Sequence, residues 1–416
     1  MSHAEALPSR PPSGRPSRLP RRQKVCFGGR GAGGQGPLSG SPDPLRFAAA
    51  VVLMVQGHVF YEVIDDLRRA SWYSWHGFVH GFTAPIFLFS SGMAFGVTTL
   101  GKWDEHTHLS RAVVKRFERY AILLGIGYLL QVGDIGLRYM MELPLERLHR
   151  ATAVNALQLI GVVLAFAEAS VLILRRQGAF LAVVTLALFG VVLAAPWTWD
   201  LTLDTWPVPV AAYVTSTTRS LFPIFPWAGF LLGGILVARF VRARRKSAKP
   251  GWMQLVVPLA LVGGTLVLLG KAGPLLGNPF PDHNVWKAGP FFFVFRLGVV
   301  LLLLSVLCAI DFGLSKLSRA SSSRAITLLQ TLGAETLVVY VAHLLMIYGV
   351  FGLPGLKVRF PHSLGLGGSI ALVTAVFASM VAFAWVWHET KKRHPKAFDR
   401  VRWALMLLVV VMFFAR

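Results

Sequence analysis

One histidine in this chain stands where an ionisable group is costly to hold. His58 lies within the apolar stretch from Phe47 to Ile64, FAAAVVLMVQGHVFYEVI, just after an Asp-x-x-Arg pair formed by Asp43 and Arg46. A stretch of that length and polarity predicts a transmembrane helix. A histidine inside one marks a functional site unless it only bonds a neighbouring helix or a backbone carbonyl. Glu62 follows His58 by four residues, which puts both on one helix face, and His58 lies twelve residues beyond Arg46, about 18 Å of helix rise. The imidazole is therefore expected in the middle to outer part of the membrane, where it could serve as general base toward a hydroxyl or amine arriving from outside.

A second constellation is cationic. Lys115-Arg116-Phe117-Glu118-Arg119 opens the third apolar segment and follows Lys102 and Arg111 in the same loop. Five cations near a helix N-terminus suit phosphate groups; they equally suit a positive-inside signal whose side chains snorkel to the interface. Asp65, Asp66, Asp134, Glu168, Arg296, Glu335, Tyr340 and His343 complete a set of polar residues on or beside apolar spans. Each buried charge among them needs a partner or a watery cavity. Other chemistries lack their devices in the sequence, which has no P-loop, no dinucleotide fingerprint, no G-x-S-x-G elbow and no metal-ligand spacing. Cys26, in a basic tail, and Cys308, in an apolar run, imply neither a disulfide framework nor a nucleophile.

The elements that must position these residues are membrane helices. Of 416 residues, 54% are hydrophobic and 15% charged, whereas soluble domains carry about 25% charge. Apolar segments fall near 47–64, 75–99, 118–137, 152–174, 178–196, 221–238, 252–270, 289–313, 329–352, 368–388 and 403–415. The fold class expected is an all-α polytopic membrane helix bundle of ten or eleven transmembrane helices, the last segment being short for a crossing. Residues 1–44, rich in Pro, Gly, Ser and Arg, are expected to form a disordered basic tail before a single membrane domain over 45–416. A net charge of +23 would suggest nucleic acid in a soluble protein, but here its distribution matters more. With the N-terminus in the cytoplasm, 30 Lys and Arg fall on the cytoplasmic side and 11 on the other, so the positive-inside rule orients the chain and lipid, not nucleic acid, is the expected partner. The longer outer connections, 197–220 and 271–288, carry Trp197, Trp199, Trp206 and Trp286, which suit an interfacial belt or a surface for stacking on a sugar. The loop Arg242 to Lys249 reads as a topology determinant and anionic-lipid contact.

Six blocks in order resemble the transmembrane acyltransferase superfamily, and within it the bacterial proteins similar to the catalytic domain of heparan-α-glucosaminide N-acetyltransferase. Acyltransferase type 3 polysaccharide O-acetyltransferases are more distant. The family's first-helix pattern of Asp-x-x-Arg-Gly and Met-x-x-x-His is matched by Asp43-Pro-Leu-Arg46-Phe47 and Met54-Val-Gln-Gly-His58, with Phe47 in place of Gly. Phe82 to Gly92 resembles the second helix, Arg116-x-x-Arg119 the third, and Asn155-Ala-Leu-Gln158-Leu-Ile-Gly161 the fourth. Phe222-Pro-Ile-Phe-Pro226-Trp227-Ala-Gly229 and Leu332-Gly333-Ala-Glu335-Thr336 through Tyr340 and His343 match two later blocks, with Thr336 in place of Ser. Arg46 and His58 stand one residue further apart than in the polysaccharide branch, which turns a helix by about 100°.

The resemblance implies an enzyme that moves an acetyl or other acyl group from cytoplasmic acyl-CoA, a co-substrate rather than a resident cofactor, to a hydroxyl or amine of an extracytoplasmic glycan. The expected location is a bacterial cytoplasmic (inner) membrane; oligomerisation is left open. It assigns His58 as base or transient acyl carrier, Arg116, Arg119 and Arg46 as CoA contacts, and Glu62, Tyr340 and His343 as groups lining the substrate cavity, with no metal. A transporter or glycan-lipid translocase using the same polar cavity, or a scaffold that has lost catalysis, is the alternative.

Overall fold

The computed structural model describes residues 54–64, 66–132, 142–245, 253–317, 331, 333, 335–350 and 353–415. The expectations for the 1–44 tail, Asp43, Arg46, Asp65 and Asp134 lie outside the described residues. The helices that build the membrane part are α1 Gln56–Val63, α2 Ser71–His80, α3 Thr83–Thr99, α4 Arg111–Val132, α5 Ala156–Leu174, α6 Gln177–Thr198, α7 Ile224–Arg245, α8 Met253–Ala272, α9 Pro290–Leu317, α10 Thr336–Tyr348, α11 Leu366–Arg393 and α12 Pro395–Ala415.

The chain is an all-α membrane bundle, as its composition requires: in hydrocarbon a helix satisfies its own backbone polar groups. Among the described residues seven stretches are long and apolar enough to cross a bilayer: Ser71–Thr99 (α2 and α3), Ala156–Leu174, Gln177–Thr198, Ile224–Arg244, Met253–Leu275, Pro290–Ile310 and Leu366–Arg393. The other expected spans differ from these in identifiable ways. Only the end of the first is described; α4 opens on the charged Arg111 to Arg119 run, and α10 has 13 residues. The expected short segment 403–415 belongs to a longer helix, because Pro395 starts α12 eight residues earlier and gives it 21 residues, about 31 Å of rise.

Lipid is visible in what the bundle leaves uncovered. The apolar windows of α6 and α8 are only 22% and 17% buried, with Leu186, Phe189, Leu193, Leu261 and Leu268 exposed. Apolar surface of that extent needs an apolar solvent. Inside, α3 and α7 approach backbone to backbone: a methyl at Gly92 would strike the Leu231 carbonyl, and one at Gly234 the Phe89 carbonyl. Small residues at a helix crossing allow such contact, which replaces a hydrophobic driving force that lipid cannot supply.

The buried apolar side chains form two clusters. The larger joins α3, α5, α6, α7 and α9; the smaller joins α1 (Val59, Val63), α10 (Val339, Ile347) and α11 (Val376, Met380, Ala384). Tyr340 packs against both and stacks on Phe87, with ring centroids 5.7 Å apart and planes 4° from parallel. The far end of α1 is sewn to a late segment: the Leu364 amide donates to the Val63 carbonyl at 2.9 Å and the His362 amide to the Glu62 carbonyl at 3.2 Å.

Candidate active site

His58 sits where the two helix groups meet. Its ring centroid lies 5.7 Å from that of His80 on α2, 5.5 Å from that of His343 on α10 and 6.3 Å from that of Tyr348 at the end of α10. Two neighbouring helices and a third more than 250 residues later thus place three imidazoles and a phenol around one point. His80 approaches α1 so closely because residue 57 is glycine: a Cβ there would overlap the His80 ring itself. His76, one turn before His80, stacks on it at 6.3 Å and 4°, and its Nε2 is bonded to the side-chain amide of Gln56. His80 Nδ1 lies 3.5 Å from the Thr83 hydroxyl.

His343 is fully buried, and its tautomer follows from its bonding. Nδ1 donates to the Val339 carbonyl oxygen at 2.9 Å, so in the neutral ring Nε2 keeps its lone pair. That Nε2 is buried and has no partner among the described residues. An acceptor atom is therefore held open beside His58. Glu62, the other residue on the His58 face, is almost fully buried and pairs with Lys357 at 3.3 Å; the same lysine lies 5.5 Å from the centroid of the Tyr348 ring.

The cationic constellation lies elsewhere. Arg116 Nη1 donates to Glu168 Oε2 at 3.0 Å and to the Thr99 hydroxyl at 2.5 Å, while Nη2 donates to the Thr98 hydroxyl at 2.8 Å. His106 Nδ1 donates to the other Glu168 oxygen at 2.6 Å. Both oxygens of a fully buried carboxylate are thereby satisfied, as its burial demands. The Arg116 guanidinium is thus committed to protein partners that knit α3, α4 and α5 together. Arg119, one turn on, is exposed. His80 and Thr99 belong to one span, Ser71–Thr99, and stand nineteen residues apart, so the histidine and arginine clusters are separated by about 28 Å, close to a bilayer core.

The block around Asn155 and Gln158 has a structural role. The two side chains form a capping box at the start of α5, and the Asn155 amide also donates to Gln131 Oε1 of α4 at 2.7 Å. Glu335 at the start of α10 accepts from Lys391 at 2.9 Å and His388 at 3.1 Å of α11, away from His58. Among the described residues no group of His, Cys, Asp and Glu is arranged to hold a metal ion.

A family model described as heparan-alpha-glucosaminide N-acetyltransferase, catalytic, matches residues 43–271, more than half of the chain. The chain belongs to this family. It is a multi-pass membrane protein of the heparan-alpha-glucosaminide N-acetyltransferase catalytic family, and its activity class is acetyl transfer. No curated protein matches the sequence.

The family match contains His58, Glu62, His76, His80, Arg116 and Glu168; His343, Tyr348 and Lys357 lie beyond it. Of the residues expected at the site, the structure brings together His58, Glu62, Tyr340 and His343, and keeps Arg116 and Arg119 apart from them. His76, His80, Tyr348 and Lys357 were not anticipated. The first two could have been: they stand four apart in Ser-Trp-Tyr-Ser-Trp-His76-Gly-Phe-Val-His80, the same spacing that links His58 and Glu62. Nothing in the sequence linked Lys357 to Glu62, 295 residues away.

Proposed function

We propose that this protein transfers an acetyl group from cytoplasmic acetyl-CoA, or another acyl-CoA, to a hydroxyl or amine of a glycan on the opposite face of a bacterial cytoplasmic membrane. The observation that supports this most is the His58 cluster: imidazoles gathered between apolar helices, one with an open lone pair. His58 acts as general base. It takes the proton of the attacking O–H or N–H as the new bond to the thioester carbonyl forms; the C–S bond then breaks, and the proton passes to the departing sulfur. In the variant route a His58 nitrogen attacks the thioester carbonyl and the C–S bond breaks to release CoA thiolate; the acceptor then attacks the acetyl-imidazole, the N–C bond breaks, and the acceptor's proton passes to the thiolate. His343 Nε2 can accept the His58 N–H, which would fix the other His58 nitrogen as the base. Tyr340 and Glu62 are assigned to the substrate side of His58, with Glu62 held by its pair with Lys357.

Arg116 braces the opposite end through Glu168, so the donor's phosphates are assigned to Arg119 with the exposed Lys115 and Arg111. Arg46 keeps its expected place as a donor contact. The positive-inside count places this end in the cytoplasm, and the histidine end with its tryptophan-bearing loops outside.

The test is radiolabelled acetyl-CoA given to membranes with and without the protein. Label is expected in glycan, and His58→Ala is expected to abolish transfer while the protein stays folded in the membrane. Full transfer by that variant would discard the assignment of His58. Substrate movement with no acyl-CoA requirement would favour the translocase.

A further inference from the structure

Arg296 is a cation inside the span Pro290–Ile310, and its surroundings hold it without neutralising it. Its guanidinium lies 4.1 Å from the Phe292 ring centroid and 5.5 Å from that of Trp227. Aromatic faces position a cation but leave its N–H donors unspent. Among the described residues no carboxylate forms an ion pair with Arg296. The indole N–H of Trp227 is in the same state: the residue is 6% exposed, and its Nε1 is buried with no acceptor among the described residues. Both line one recess, with Pro226, Phe230 and Phe293, and Lys287 stands exposed at its rim. The enclosed part of the recess has room for about one water molecule and the rest is open to solvent, so a guest group sits at its mouth.

Two cations and an orphaned N–H around one recess, with no acceptor side chain lining it, specify the charge of what belongs there. A half-buried charge in a span calls for a partner or a polar guest, and a buried donor without an acceptor is a cost that a guest can relieve. The recess also adjoins the histidine cluster. A Cβ at Gly81, the residue after His80, would lie 3.4 Å from Arg296 Nη2.

We propose that Arg296, Lys287 and the Trp227 N–H form an oxyanion-binding site that takes a phosphate, sulfate or carboxylate group beside the His58 cluster. The guest is either an acidic substituent on a water-soluble molecule or the headgroup phosphate of a lipid. Arg296 supplies the two-pronged contact, Trp227 one further donor, and Lys287 charge at the mouth. Oxyanion binding itself does not depend on acetyl transfer; only the idea that the guest presents its nucleophile to His58 rests on that reading.

The test uses the full chain purified in dodecyl maltoside in phosphate-free buffer, with melting followed as inorganic phosphate or sulfate is added against chloride at equal ionic strength. The wild type is expected to rise saturably in melting temperature with phosphate or sulfate and not with chloride. Arg296→Gln is expected to shift the midpoint by at least about tenfold, and Trp227→Phe and Lys287→Gln by a few-fold each. Should Arg296→Gln fail to fold, the other two variants decide. Adding phosphatidylglycerol to the micelles separates the sources: loss of the phosphate response identifies the headgroup as guest, and an unchanged response a soluble oxyanion. A wild type without a saturable response, or variants with the wild-type midpoint, would overturn the site. His58→Ala is expected to retain the phosphate response, so a chain that transfers no acetyl group can still pass this test.

Discussion

Gly57→Ala isolates the contact that brings His80 to His58. The added Cβ would fall within the imidazole of His80, well inside the 3.0 Å that real Cβ contacts respect, so the ring must move. Two opposed terms set the stability change: alanine in place of a helical glycine gains about 1 kcal/mol, and overpacking costs about 1–3 kcal/mol. The net change therefore runs from nearly neutral to a loss of about 2 kcal/mol. The functional change is expected to be larger, because a displacement of about 1 Å in a positioned group can cost roughly a hundredfold in rate. The assay pairs the melting temperature of the purified protein with transfer of radiolabelled acetyl groups in membranes. A double-mutant cycle with His80→Ala sharpens it: once the ring is gone the alanine at 57 should stabilise, giving a coupling of about 1–3 kcal/mol. Wild-type melting and transfer in Gly57→Ala, with no coupling to His80→Ala, would refute the placement of His80 against α1.

Glu168→Ala should lower stability by about 3–5 kcal/mol by stranding Arg116 and His106, and Glu168→Gln by less; thermal melts in detergent check both. Lys357→Ala strands the buried Glu62 carboxylate and should cost about 1–3 kcal/mol, read from the same melts. His343→Phe keeps a ring in the packed site but deletes the open Nε2; transfer should fall by about a hundredfold while the melting temperature holds, and an unimpaired rate would remove His343 from the mechanism.

Hydropathy made the fold legible because a bilayer imposes one simple rule on every span; α5, α6, α8 and α9 lie close to where apolar runs place them. The ends were harder. Pro395 and the charged first turns of α12 hide a long helix behind a short apolar core, and α10 is cut short by Gly349, whose φ of 87° suits glycine. At the site, His58, Glu62, Tyr340 and His343 were readable as polar residues in apolar surroundings. Arg116 was ambiguous for a physical reason. A cation at a helix start looks the same in sequence whether it awaits a phosphate or serves a carboxylate, and only the fold shows Glu168 beneath it. His80 was concealed differently, since its importance depends on an absent side chain at position 57.

The attachment of Leu364 to Val63 bears on how the protein is made. During synthesis the helix bearing His58 enters the membrane early, yet the strand-like segment that fastens its end, and the lysine that pairs with Glu62, leave the ribosome about three hundred residues later. Until then His343 and Tyr348 do not yet exist in the nascent chain. The side-chain cluster around His58 is thus completed only near the end of translation, and a product truncated at residue 271 would insert many of its spans while lacking half of the neighbours of His58.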